Sequence, residues 1–188
     1  MHPAALIFDF DGTLADTMPL HWRAWQAVTR RHGIRFSEEE FYALGGVPSW
    51  KILGRLAGEQ GLALDPLAVS KEKEQAYLDL IGHIQPVPEV VAIAMEFRGR
   101  LPMAVATGGT RDVVGLGLER LGIRPWFAAL VSSEDVTRHK PAPDTFLVAA
   151  SRLGVAPHLC RAYEDTDLGL EAIRAAGMEA VDVRPLRR

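Results

Sequence analysis

Asp9 and Asp11 stand one residue apart, after the apolar run Ala4-Ala5-Leu6-Ile7-Phe8 and before Gly12-Thr13. Two carboxylates leaving a buried strand together project toward a common site, where a cation or a proton must compensate their charge. A twelve-residue calcium loop counted from Asp9 fails on spacing, because it needs an acid or amide at 13 and a bidentate Glu at 20, where the chain has Thr13 and Leu20. Nothing structural requires acids at the end of an apolar strand, so the pair reads as chemistry rather than as a turn. Further along, Thr107 precedes Gly108-Gly109, Lys140 precedes Pro141-Ala142-Pro143-Asp144, and Glu164-Asp165 form a second acid pair. Alone, a Thr before glycines is most often a turn and a Lys is most often a surface residue. Glu134, Asp135, Asp144 and Asp167 read as turn or helix-start acids.

The elements that must position these residues are legible as apolar runs. The segments 4–8, 103–107, 129–132 and 161–165 are short, nearly continuous and closed by polar or acidic residues, as strands buried on both faces are; 180–183 adds a fifth. Between them, helical patterns cover 90–98, 112–121, 144–153 and 168–176, the last three stopped by Gly122, Gly154 and Gly177. Strand and helix alternating in this way predict an α/β fold, a doubly wound parallel sheet with helices on both faces. Ligands of such sheets sit beyond the carboxyl ends of the strands, where Asp9, Thr107 and Asp165 point. Residues 18–84 break the alternation with helical patterns over 20–31, 37–43, 49–57 and 66–81. They are expected to form a helical cap inserted after the first strand, leaving 1–17 and 85–188 as the core, with prolines at 19, 86 and 88 stiffening the connections. The Lys71-Glu72-Lys73-Glu74 run reads as a solvated helix face.

Composition narrows the function classes. The 188 residues carry 21 Lys+Arg against 24 Asp+Glu, a net charge of −3, with no basic cluster to track a phosphate backbone, so nucleic acid is not an expected partner. No apolar stretch approaches the roughly 18 residues of a membrane span, and 1–8 lacks the basic start of a signal peptide. The single Cys160 cannot form an internal disulfide, and a cytoplasmic monomer without membrane attachment is expected.

Taken in order, Asp9-Phe10-Asp11-Gly12-Thr13, Thr107, Lys140-Pro141-Ala142-Pro143-Asp144 and Glu164-Asp165 resemble the four motifs of the haloacid-dehalogenase-like (HAD) hydrolases along the whole chain. Within that superfamily the chain looks like the branch of β-phosphoglucomutases and small sugar-phosphate phosphatases. The segments His21-Trp22-Arg23-Ala24-Trp25 and Lys140 to Asp144, and the short length ending in Val181-Asp182-Val183-Arg184, are similar to bacterial fructose-1-phosphate phosphatases. Two acids in the first motif argue against the dehalogenases themselves.

The resemblance implies a role for each position. Asp9 would be the nucleophile that accepts the phosphoryl group as an aspartyl phosphate, and Asp11 would protonate the leaving sugar oxygen and then take a proton from water. A magnesium ion would be held by the Asp9 side chain, the Asp11 main-chain oxygen and Asp165, with Glu164 close by or acting through water. Thr107 and Gly108 would hold the transferring oxygens, Gly12 would lie against them, and Lys140 would place an ammonium on nucleophile and phosphate. In the cap, Thr17 and His21 match hinge residues that help position the general acid. The loop from Leu44 through Gly46 to Trp50 and Lys51 looks like the family's specificity loop. Trp22 and Trp25, at helical spacing, read as core.

The function expected is magnesium-dependent hydrolysis of a small sugar phosphate, a fructose 1-phosphate-like hexose monophosphate. A β-phosphoglucomutase-type phosphomutase is the alternative, disfavoured because Pro48-Ser49-Trp50 occupy the stretch where mutases carry an arginine for the second phosphate. A phospho-Asp receiver domain is a second alternative, but it has no cap and phosphorylates an Asp on a middle strand.

Overall fold

The computed structural model describes residues 2–45 and 47–187. In chain order it contains β1 (Ala5–Phe8), α1 (Met18–Arg31), α2 (Glu38–Ala43), α3 (Ser49–Gln60), α4 (Pro66–Leu78), α5 (Pro88–Phe97), β2 (Met103–Ala106), α6 (Arg111–Arg120), β3 (Ala129–Val131), α7 (Asp144–Leu153), β4 (Cys160–Glu164), α8 (Asp167–Ala175) and β5 (Glu179–Asp182). The chain divides into two compact units, Met1–Asp16 with Ile84–Arg188, and Thr17–His83.

The first unit is a five-stranded, wholly parallel sheet in the order β3-β2-β1-β4-β5. Every residue of β1 and β2 is buried, which accounts for runs without polar alternation. One face carries small residues, Ala5, Ala104, Ala106 and Ala162, against Phe146, Ala149, Ala172 and Ile173 of α7 and α8, so the helices approach the sheet closely. The other face is filled by Phe8, stacked on Tyr163 at 4.7 Å and edge-on to Phe127 at 6.0 Å. The order reverses at β1: β2 and β3 lie to one side, β4 and β5 to the other. That reversal is a topological switch point, and the crevice beyond the carboxyl ends of β1 and β4 is where this topology leaves room for a ligand. Gly122, Gly154 and Gly177 all have positive φ (69°, 68° and 74°) just past their helices, as their positions require.

The second unit is helical. Its core is aromatic and aliphatic: Trp25, Val28, Phe41, Ile52, Leu53 and Leu56 are buried, with Trp22 and Phe36 packed against them. Trp22 and Trp25 are thus core residues. Pro19 and Pro88 sit in the first turns of α1 and α5, where the missing N–H has no helical partner to lose. They start helices, which is the structural use the connections make of them.

Candidate active site

Asp9 leaves β1 and Glu164-Asp165 leave the adjacent β4; the register pairs Phe8 with Tyr163, and the Asp9 amide donates to the Tyr163 carbonyl at 3.0 Å. Residues 155 positions apart in sequence therefore meet at the switch point. Asp9 is buried at 5% exposure and Glu164 at 1%. Lys140 Nζ donates to Asp9 Oδ1 at 2.7 Å and to Glu164 Oε1 at 2.9 Å. The Lys140–Pro141 peptide is cis. Glu164 turns back on its own chain, accepting from the Asp165 amide, the Thr166 amide at 2.6 Å and Thr166 Oγ1 at 3.0 Å. Thr13 Oγ1 donates to Asp165 Oδ1 at 3.2 Å.

Burial governs the electrostatics. Asp9 has its pKa raised well above the carboxylate range by desolvation, against the attraction of Lys140 and with added repulsion from Glu164, Asp165 and Asp11. Asp165 is pushed up to about 7 by burial and by the neighbouring Glu164 charge. For Lys140, burial alone favours the neutral amine, but the carboxylates of Asp9 and Glu164 outweigh it and keep the group firmly protonated. Three carboxylates around one ammonium leave negative charge uncompensated. Asp9, Glu164 and Asp165 can each bring one oxygen within 4.8 Å of the others, the only such group among the described residues. An all-oxygen donor set carrying excess negative charge fits a hard divalent cation.

The second wall comes from β2. Thr107 is buried at 1% exposure, its amide donating to the Val131 carbonyl at 2.9 Å. Its Oγ1 accepts from the Gly109 amide at 3.0 Å, so the hydroxyl proton is free to turn toward a ligand. A side chain at Gly109 would meet Thr107 Oγ1 at 3.4 Å and Asp11 Oδ2 at 3.5 Å; both groups border one position, and Gly108 beside them is exposed. The loop is pinned from behind, since the Ser133 amide and hydroxyl both donate to the Gly109 carbonyl, at 3.0 and 3.2 Å. Asp135, read from sequence as a turn acid, does more than turn. It accepts from Arg111 and Arg152 at 2.5 Å each, and both arginines also donate to the Leu130 carbonyl of the edge strand β3. Asp144 and Asp167 are helix-start acids paired with Arg138 and Arg184, and the α8 N-cap is Thr166.

The remaining sequence-predicted residues lie in the other unit. Trp50 is 45% exposed with the Lys51 ammonium 5.4 Å from its ring centre; Gly46 lies outside the described residues. His21 stacks on Tyr77 at 3.9 Å, and its Nδ1 is 2.9 Å from Lys73 Nζ. Thr17 Oγ1 is buried with no hydrogen-bond partner among the described residues. The Lys71–Glu74 run is not a uniformly solvated face: Lys73 is only 3% exposed, bonded to His21 and to Glu74 Oε1 at 3.1 Å and lying over Trp25 and Tyr77. Charge alternation cannot say which lysine of a helix faces inward; a cluster of aromatic rings below it decides.

Thr13, Thr166, Gly169 and Lys73 are therefore the residues that sequence reasoning missed. Thr13 stands in the first motif as a signal; Gly169 gives none, because the clash it avoids is with a side chain five residues back.

A haloacid dehalogenase-like hydrolase family model matches residues 3–177. The fructose-1-phosphate phosphatase YqaB of Escherichia coli (strain K12) is 44% identical over 184 residues, 97% of each chain. The phosphorylated carbohydrates phosphatase of Thermotoga maritima is 30% identical over 183 residues, covering 94% of this chain and 83% of its own. A β-phosphoglucomutase structure from Clostridium difficile shares the fold, with a TM-score of 0.85 at 24% identity over 97% of this chain and 84% of that one. With an acid pair at the end of the first strand, a lysine joining it to a second acid pair across the switch point, and a family match along nearly the whole chain, this protein belongs to the haloacid dehalogenase-like hydrolases.

Proposed function

We propose that this protein is a magnesium-dependent phosphatase of a small phosphorylated sugar, a hexose monophosphate of the fructose 1-phosphate kind, working through an aspartyl phosphate on Asp9. The observation that carries this reading is Lys140 bridging Asp9 and Glu164 beside Asp165, a buried anionic cluster with an internal cation at a ligand crevice. The 44% identical phosphatase YqaB supports the substrate class.

Lys140 fixes Asp9 through Oδ1 and its charge opposes the burial that raises the Asp9 pKa, favouring the ionised carboxylate that attacks phosphorus. Asp9, Asp165 and the Asp11 carbonyl would hold a magnesium ion, with Glu164 close by, and such an ion would offset the combined charge of phosphate and carboxylate. Thr107 Oγ1 and the Gly108 amide receive the oxygens of the transferring group. Asp11 gives its proton to the departing sugar oxygen, then removes one from the water that attacks the aspartyl phosphate, which regenerates both acids. The Thr17–His83 unit acts as the cap. Its Trp50 face and Lys51 charge read the sugar, and Lys73 holds His21 for its role toward the general acid.

Phosphate release measured across a panel of phosphorylated metabolites tests the proposal. Hexose 1-phosphates are expected to be the best substrates, with little interconversion of glucose 1-phosphate and glucose 6-phosphate even with a bisphosphate primer. Efficient mutase turnover overturns it.

A further inference from the structure

We infer that Arg187 is a positioning residue for the loop that carries Asp11, a strap from the middle of the 10–16 turn at Gly12 to its end at Asp16. Its Nη1 donates to the Gly12 carbonyl at 3.3 Å and its Nη2 to Asp16 Oδ1 at 2.7 Å, across 171 residues. Inside the turn the Phe10 carbonyl accepts from the amides of Thr13, Leu14 and Ala15, and the Gly12 amide donates to the Ala15 carbonyl at 2.8 Å. The pivot of this closed loop is Gly12, with φ at 80°. No side chain can occupy that position, because a Cβ there would overlap the Asp165 carboxylate. The same lack of a Cβ leaves Gly12 free to rotate. Rotation would redirect the peptide on either side of it, one bearing the Asp11 carbonyl and the other the Gly12 carbonyl. Arg187 holds the second with a charged donor, and Asp16 orients the guanidinium.

The segment that presents Arg187 is itself fastened. Arg184 donates to Asp182 and to Asp167 at 2.8 Å, the Leu186 amide to the Val183 carbonyl, and the Val183 amide to the Glu164 carbonyl at 2.9 Å. The strap thus ties the loop after β1 to the end of β4, where the second acid pair sits. Arg187 is 34% exposed in its side chain. An ion pair that open contributes little to global stability, so its effect is local.

This inference rests on reading Asp11 as the acid and base of the proposed phosphatase, and two measurements keep the two apart. Amide hydrogen exchange of the metal-free, substrate-free protein reads the strap itself. Arg187→Ala is expected to speed exchange in residues 10–16 by about tenfold while the sheet keeps its protection. Steady-state kinetics read its consequence: kcat is expected to fall about 5- to 30-fold with KM within about threefold, and Arg187→Lys, which reaches one acceptor at a time, to recover part of the loss. Unchanged exchange at 10–16 overturns the strap whatever the activity does. Faster exchange there with unchanged kcat overturns the positioning role, as does faster exchange throughout the sheet with a lowered Tm. A wild-type protein that hydrolyses no phosphate ester overturns the phosphatase reading instead, and exchange alone then judges the strap.

Discussion

Gly169 and Glu164 occupy one space: a Cβ on Gly169 would overlap the Glu164 carboxylate. Glu164 folds back over the first turn of α8 to reach the Thr166 amide and Lys140 together, and only a glycine five residues on leaves that path open. Gly169→Ala therefore forces the carboxylate off both partners. Overpacking of this kind costs about 1–3 kcal/mol, and loss of the Lys140 anchor is expected to lower kcat by roughly 100-fold or more. Thermal unfolding and kinetics of the variant check both; a Tm within about 1 °C of the wild type with full activity would show that the helix start yields freely.

For the acid pair, Asp9→Asn is expected to abolish turnover, leaving less than about one part in a thousand. Asp11→Asn is expected to be as inactive while still binding magnesium, because the ligand proposed there is a main-chain oxygen. Binding calorimetry of the two variants separates them. An Asp9→Asn protein within about tenfold of wild-type turnover would remove Asp9 as nucleophile.

Metal dependence has a readout apart from catalysis. A ligand that binds only the folded state stabilises it by an amount that grows with the logarithm of its concentration above Kd, so excess magnesium is expected to raise the Tm of the wild type and chelation to reverse it. Asp165→Ala should abolish the shift while leaving the metal-free Tm near or above that of the wild type, since Asp165 is half-buried, and burial and the neighbouring Glu164 charge raise its pKa to about 7. Full turnover in excess chelator contradicts the assignment.

Asp135 supplies a pH dependence through its pairing with Arg111 and Arg152. Burial raises its pKa, but hydrogen bonds from Arg152 and Ser132 overcome this and hold it below the carboxylate range. A depressed folded pKa stabilises the fold above the unfolded value of about 3.9 and is lost as pH falls toward the folded one. Asp135→Asn is thus expected to cost roughly 1–3 kcal/mol at pH 7, with the gap to wild type closing below about pH 4. A constant gap across that window would mean that the charge is not what matters.

Trp50→Ala tests the proposed role of the Trp50 face in reading the sugar. It is expected to lower kcat/KM for the hexose phosphate by about tenfold while sparing p-nitrophenyl phosphate. An equal loss on both substrates would make the loop a part of the catalytic assembly rather than a reader of the sugar.

The parallel sheet was legible because buried strands must be apolar throughout: each of the five runs became a strand within a residue or two of its expected ends. Glycines past three helices marked their stops for a reason of backbone geometry that is local to the chain. The acid pairs could be seen because ionised groups at the ends of apolar runs have no structural use. What the residue order by itself determined is thus the set of elements, their burial and the chemical groups at their ends, all consequences of periodicity and local conformation.

Only the tertiary structure decided which groups meet. Lys140 chooses Asp9 and Glu164 because the β1–β4 pairing brings those carboxylates side by side, a contact spanning 131 residues in one direction and 24 in the other. Lys73 and Lys71 have the same local sequence character, yet only Lys73 turns in to His21, because Trp25 of α1 lies under that face of α4, which Tyr77 one turn on shares. The same holds for Gly169, Asp135 and Arg187, whose partners are fixed by packing between segments that nothing in the linear pattern relates. Side-chain contacts at long separation depend on the register of the sheet and on the space left by neighbours, and those are properties of the folded chain.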